Sequence, residues 1–232
     1  MPDPLSALVW YAVLLLSLTV HEAAHAWAAL QGGDPTAYLG GQVSLDPRPH
    51  IRREPMGMVW VPLFFFATSG MMFGWASTPF DPRWAAAHPK RAAWMALAGP
   101  GANLLLVVIA AAAIHLGIAA EVFAAPARAT YSSVTIATGP GSWSLAATFV
   151  SVLFSLNLLL CVFNLIPVPP LDGSGAIPLL VNEQLAEQYR RLVSRPIFSV
   201  GGILLAWFLI GPLFRELHGI ALNWLYPGLH YS

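Results

Sequence analysis

Residues Leu5–Leu30 read LSALVWYAVLLLSLTVHEAAHAWAAL, with no Lys or Arg and a single acid, Glu22. A bilayer-spanning helix needs about 20 mostly apolar residues, so this stretch is long enough, and Gly32, Gly33 and Pro35 break it afterwards. Its last third carries His21, Glu22 and His25. An unpaired ionisable residue in hydrocarbon costs at least ~2.5 kcal/mol, so these side chains need a partner. Positions i and i+4 of a helix share a face, which lets His21 and His25 reach one Zn²⁺ at about 2.0–2.1 Å. Glu22, beside the first ligand, is placed to take a proton from water activated by the metal. No Lys or Arg precedes the run and Asp3 is acidic, so the helix is expected to be retained rather than cleaved as a signal peptide.

The rest of the chain fits a bilayer. Of 232 residues, 57% are hydrophobic and 9% charged, against roughly 25% charged in soluble domains. Net charge is zero, which gives no support for nucleic-acid binding. The one cysteine, Cys161, excludes an intrachain disulfide and a Cys-rich zinc module. Further apolar runs lie at Met56–Trp75, Ala92–Ala120, Leu145–Ile166 and Ile197–Leu213. The segment Thr36–Leu45, with partial alternation around Gly40–Gly41, reads as a short strand or hairpin. The expected fold is an all-α polytopic membrane protein of four to five transmembrane helices, with a short β-hairpin and a re-entrant segment. It forms one domain, residues 1–232, with a core at 5–175 and C-terminal helices at 182–230.

Charge placement orders the spans. Arg48, Arg52, Arg53, Arg83, Lys90, Arg91, Arg190, Arg191 and Arg195 fall in three groups, and only Arg128 and Arg215 lie elsewhere. Basic loops stay in the cytoplasm. Placing all three groups there requires Met56–Trp75, with Pro62 and its flanking glycines, to enter and leave by one face.

A zinc site needs a third protein ligand and an open position. The best candidate is Asp172, in Asn164-Leu-Ile-Pro-Val-Pro-Pro-Leu-Asp172-Gly173, where a long apolar helix meets three prolines that stop it. Unwound backbone at membrane depth is tolerated only inside protein or beside a wet cavity. Both the C-terminal end of the first span and the end of Leu145–Ile166 then lie towards the cytoplasmic face, which brings Asp172 to the two histidines.

These motifs resemble the site-2 protease family of intramembrane zinc metalloproteases. The match comprises His21–His25, Asn164–Gly173, Ala98-Gly99-Pro100-Gly101-Ala102-Asn103, Gly41–Pro47 and Gly74-Trp75-Ala76 before Pro79, and it spans residues 8–175. The resemblance implies that His21, His25 and Asp172 ligate one Zn²⁺ and that Glu22 activates water. It further implies that Asn164 positions the substrate peptide and that Asn103 supports the site. An interhelical hydrogen bond is an equal reading for Asn103 and Asn157. His50 reads as a loop polar contact and His115 as a helix-end residue. Asp46-Pro47 departs from the family's usual Asn-Pro, and no PDZ-like or CBS-like domain is expected. The implied partner is a membrane protein with a locally unwound transmembrane helix, cut from the cytoplasmic side of the cell membrane. Rival readings are a metal transporter, which also uses intramembrane His and Asp, and an inactive binder of membrane proteins.

Overall fold

The computed structural model describes residues 4–69, 72–193 and 195–231. Helix α1 spans Pro4–Gln31. It ends where Gly33 adopts φ +97°, with Gly33 N–H donating to Leu30 O at 3.0 Å and Asp34 N–H to Ala29 O at 2.9 Å. This is a Schellman cap, whose left-handed residue is usually glycine. Asp34 then accepts from both the N–H and the hydroxyl of Thr36, at 2.9 and 2.5 Å. That Asx turn seeds α2 (Thr36–Leu39). The expected strand at Thr36–Leu45 is therefore replaced by one helical turn, closed by Gly41 at φ +75°. The local Asp34 bonds outweigh the alternation.

Helix α3 (Pro47–Arg53) is capped by Asp46, which accepts from Arg48 N–H. A π turn at Met56–Trp60 leads into α4 (Val61–Ser69). The chain then returns through 72–81, which has no regular secondary structure, and Trp75 N–H donates to Gly57 O at 3.1 Å. A Cβ on Gly57 would collide with the Trp75 carbonyl, so the close return requires glycine. The apolar stretch comes back to its own start, as re-entry requires.

Helix α5 (Pro82–Ala87) precedes α6 (Pro89–Ala119), which contains Pro100. Strands β1 (Phe123–Ala124) and β2 (Ile136–Ala137) pair antiparallel, so the short hairpin lies here rather than at 36–45. There follow α7 (Ser142–Leu165), α8 (Asp172–Ala176), α9 (Glu183–Val193) and α10 (Pro196–Leu225). The last helix runs 12 residues past the apolar stretch Ile197–Leu213 and carries Arg215, within the expected C-terminal helical region 182–230. Pro212 removes one backbone donor, but in apolar surroundings the remaining backbone groups are best satisfied by continuing the helix.

Four helices, Pro4–Gln31, Pro89–Ala119, Ser142–Leu165 and Ile197–Leu225, are long and apolar enough to cross a bilayer. The chain is an integral membrane protein. Helix α6 packs most extensively on α7 and α1. Between them Val13, Leu14, Ile114, Val152 and Phe154 form the core. Helix α10 lies at the edge and turns Phe208 and Trp224 outward, at 79% and 83% exposure, the surface that lipid would cover.

Candidate metal centre

Helix α1 presents His21 and His25 one turn apart, both buried. Their Nε2 atoms lie 3.0 Å from each other. Asp172 Oδ2 reaches them at 3.1 Å from His21 and 3.3 Å from His25. The carboxylate arrives because the proline loop 166–171 ends α7 and restarts the chain as α8. A Cβ on Gly173 would strike the Leu165 carbonyl, and one on Gly202 of α10 would strike Pro169 O. The loop is thus clamped from both sides, with Ile166, Leu171 and Ala206 packed beneath it. Residues beyond 175 therefore buttress the centre.

Hydrogen bonds behind the rings settle which imidazole nitrogen carries the proton. Ser17 Oγ donates to Val13 O at 2.7 Å, and Asn157 Nδ2 donates to Ser17 Oγ and to Leu153 O. Asn157 Oδ1 then accepts from Asn103 Nδ2 at 2.8 Å. Asn103 Oδ1 is left facing His21 Nδ1, 2.5 Å away. A carbonyl oxygen can only accept, so His21 Nδ1 carries the hydrogen. The same holds for His25, whose Nδ1 donates to the Met95 carbonyl at 2.7 Å. In the neutral rings both Nε2 atoms are consequently bare lone pairs. Two lone pairs and a carboxylate oxygen converge, and Asp172 Oδ2 has no hydrogen-bond donor.

Such a group of acceptors repels itself unless a cation joins it. A tetrahedral zinc centre with bonds of about 2.0–2.1 Å would space its ligands about 3.3 Å apart, close to the three observed separations. The donor set thus fits zinc, which is commonly held by imidazole and carboxylate. Among the described residues, His21, His25 and Asp172 form the cluster able to hold a metal ion.

Gly99 makes room for this arrangement. A Cβ there would lie 2.6 Å from His21 Nε2 and closer still to His25 Nε2. Its neighbour Pro100 falls inside α6, so the Ala98–Asn103 motif brings the helix against the ring edges and delivers Asn103 behind one of them.

Glu22 is buried, at 4% exposure. Thr78 Oγ1 lies 2.7 Å from its Oε2 and 2.9 Å from its backbone O, bridging the two as donor. Thr78 belongs to the irregular segment 72–81, which other bonds hold in place. Gln42 Nε2 donates to Ser77 O, Ser77 Oγ to Glu54 Oε1, and Asp81 N–H to Asp34 Oδ2. Neither Thr78 nor the Met95 carbonyl was foreseeable from the sequence. Thr78 lies 56 residues from Glu22 in a segment without periodic pattern, and a backbone carbonyl has no residue-type signature.

Asn164 makes its described hydrogen bond within its own helix. It is half-buried near the end of α7, with Nδ2 donating to Leu160 O at 3.1 Å, and no described hydrogen bond joins it to the cluster. His50 is in α3 rather than a loop, buried, with Nε2 3.0 Å from Ser44 O. It holds the 44–50 turn together. His115 is exposed near the end of α6.

Residues 9–209 match the sequence profile of Peptidase family M50. A protein named "Putative zinc metalloprotease YwhC" in Bacillus subtilis is 33% identical over 180 residues, covering 77% of this chain and 72% of that protein. Proteins named "Putative zinc metalloprotease Rip2" are similar too. The one in Mycolicibacterium smegmatis is 31% identical across 73% of this chain and 56% of its own length. The one in Mycobacterium tuberculosis (strain Erdman) is 30% identical across 84% and 67%. No solved structure matches. With a family profile covering most of the chain and a donor set fitted to zinc, this chain belongs to peptidase family M50, the site-2 protease family of zinc metalloproteases.

Proposed function

We propose that the chain hydrolyses a peptide bond in or near a transmembrane segment of another membrane protein, with one zinc held by His21, His25 and Asp172. The observation that carries this reading is the convergence of three metal-accepting atoms inside a membrane-spanning helix bundle, with a second buried carboxylate beside them. When bound, zinc supplies Lewis acidity, which acidifies water towards neutral pH and polarises a carbonyl. Glu22 takes the proton from the attacking water and delivers it to the leaving amine. Thr78 fixes the Glu22 carboxylate for both transfers. Asn103 is a positioning residue that locks the His21 tautomer, and Asn164 takes part in holding the substrate backbone.

A substrate helix already satisfies its own backbone and must unwind before it is cut. The segment 72–81, tied to Glu22 through Thr78, is where an unwound peptide would lie as an added strand. The metal centre faces the cytoplasm in this reading, because nine of the eleven basic residues then fall on its side.

The test is co-expression of wild type and Glu22→Gln with a panel of single-span membrane proteins. Abolished cleavage with zinc retained is expected, and unchanged cleavage would overturn the assignment. Asp172→Ala is expected to lose zinc itself.

A further inference from the structure

At the end of the bundle remote from the metal centre lies a cavity of about 420 Å³ whose wall includes Arg128, Arg215, His218 and His230. Gly202 of α10 touches the proline loop beside the metal ligands. Arg215 is 13 residues further along the same helix, about 20 Å at 1.5 Å per residue, so this is a separate site. No Asp or Glu contributes to the wall. Glu216 follows Arg215 in the chain, but adjacent helical positions do not face each other. Among the described residues neither arginine forms an ion pair. Among the described residues, two arginines therefore share one concavity with no acidic side chain in its wall.

The wall is built from three segments that are tied together. Gly228, at φ +99°, turns the chain back after α10. Tyr231 N–H donates to Asn223 Oδ1 at 2.8 Å and Asn223 Nδ2 to Tyr231 O at 3.2 Å. The Tyr231 hydroxyl crosses to Pro126 O at 2.7 Å, on the loop that carries Arg128. His218 is held by Ser155 Oγ at 3.1 Å. The backbone segments that carry the basic groups are thus tied to one another, and His218 is held in place.

Depth in the bilayer indicates what they meet. Ile197–Phe214 is 18 residues without Asp, Glu, Lys or Arg, about 27 Å of helix against a hydrocarbon core of about 30 Å. Arg215 follows at once, at the level where acyl chains give way to phosphates. Tyr131, packed against Phe214 beside it, is 48% exposed, as aromatic residues are at membrane interfaces. Guanidinium forks match phosphate oxygens bidentately, and 420 Å³ lies in the range of small-molecule sites.

We propose that this cavity binds a phosphate group, and its depth favours the head group of an anionic phospholipid as the source. The test has two arms, both on the full chain. In the first, purified protein is reconstituted in phosphatidylcholine nanodiscs doped with a photoactivatable phosphatidylglycerol, and labelled peptides are mapped. In the second, thermal unfolding in detergent is followed as inorganic phosphate is titrated against chloride at equal ionic strength. Label concentrated on 127–131 and 215–231 identifies a lipid head group. A phosphate-dependent rise in Tm without such labelling identifies the free anion. Arg128→Gln and Arg215→Gln should each weaken the effect about tenfold or more, as loss of a hydrogen bond to a charged group does, with zinc content unchanged. Label spread evenly over the outer faces of α6 and α10, with no response to phosphate, would overturn the proposal on the wild-type chain alone. Protease activity is not a readout, so this outcome is independent of the proposed cleavage.

Discussion

Gly99→Ala sets two consequences of one methyl group against each other. In a helix interior alanine is favoured over glycine by about 1 kcal/mol, so propensity alone predicts a more stable α6. The structure predicts loss of the metal. The new Cβ would sit 2.6 Å from His21 Nε2 and closer still to His25 Nε2, where ordinary contact needs about 3.5 Å or more. The rings or the α1–α6 packing must therefore yield by roughly an ångström, while metal–ligand distances tolerate only about ±0.2 Å. Both rings are also held from behind, by Asn103 Oδ1 and Met95 O, so retreat breaks those bonds as well. We expect zinc affinity to fall at least a hundredfold and cleavage with it. Gly101→Ala is the internal control, because nothing lies within 4 Å of its Cβ position. It should bind zinc as wild type does and gain up to about 1 kcal/mol of stability. Zinc per chain by mass spectrometry after dialysis against graded chelator, with thermal unfolding alongside, reads both effects. Stoichiometric zinc at wild-type affinity in Gly99→Ala would refute the placement of the rings against α6.

Asn103→Leu leaves the His21 Nδ1–H and Asn157 Oδ1 without partners, and zinc affinity measured by chelator competition should drop about 10–100-fold. Thr78→Val removes the hydroxyl from Glu22 while keeping its shape; kcat should fall about tenfold or more with zinc content unchanged, and Thr78→Ser should restore most of it. Asp34 joins the end of α1 to residues 36 and 81. Burial pushes its carboxyl up, but hydrogen bonds from Thr36 and Asp81 outweigh this and hold it below its ordinary value. Its contribution to stability is therefore complete above its unfolded pKa, about 3.9, and is lost as pH falls through the lower folded value. Unfolding scanned between pH 6 and 3 should show this decline in wild type and a flatter profile in Asp34→Asn.

The parts of the fold legible beforehand were those with long-range physical constraints. Hydrocarbon forbids unpaired backbone, so a long apolar run can only be a helix, and α1, α6 and α7 appear within a few residues of where composition puts them. Basic residues resist crossing, so the turnback of Met56–Trp75 could be inferred without any contact being known. The errors came from local rules that another force overrode. At Thr36–Leu45 alternation suggested a strand, yet a single carboxylate, Asp34, seeds a helical turn through two bonds to Thr36. Likewise His50, read as a loop contact, lies in α3, because Asp46 caps a helix there.

The site divides along the same line. His21, His25 and Asp172 announce themselves because ionisable side chains in apolar sequence are expensive, and their spacing has a geometric meaning that survives without coordinates. What the sequence withheld is the orientation of those ligands, which is fixed by neutral groups. Ser17 and Asn157 look like ordinary interhelical polar residues, yet they set Asn103, and Asn103 sets the His21 tautomer. The bare Nε2 lone pair exists only because a chain of donors runs back to the Val13 and Leu153 carbonyls. Reversing either amide would place a donor opposite His21 Nδ1 and turn the protonated nitrogen towards Asp172, converting a metal site into an ordinary histidine–carboxylate pair. A buried network of this kind contributes less through its own bond energies than through the one protonation pattern it permits.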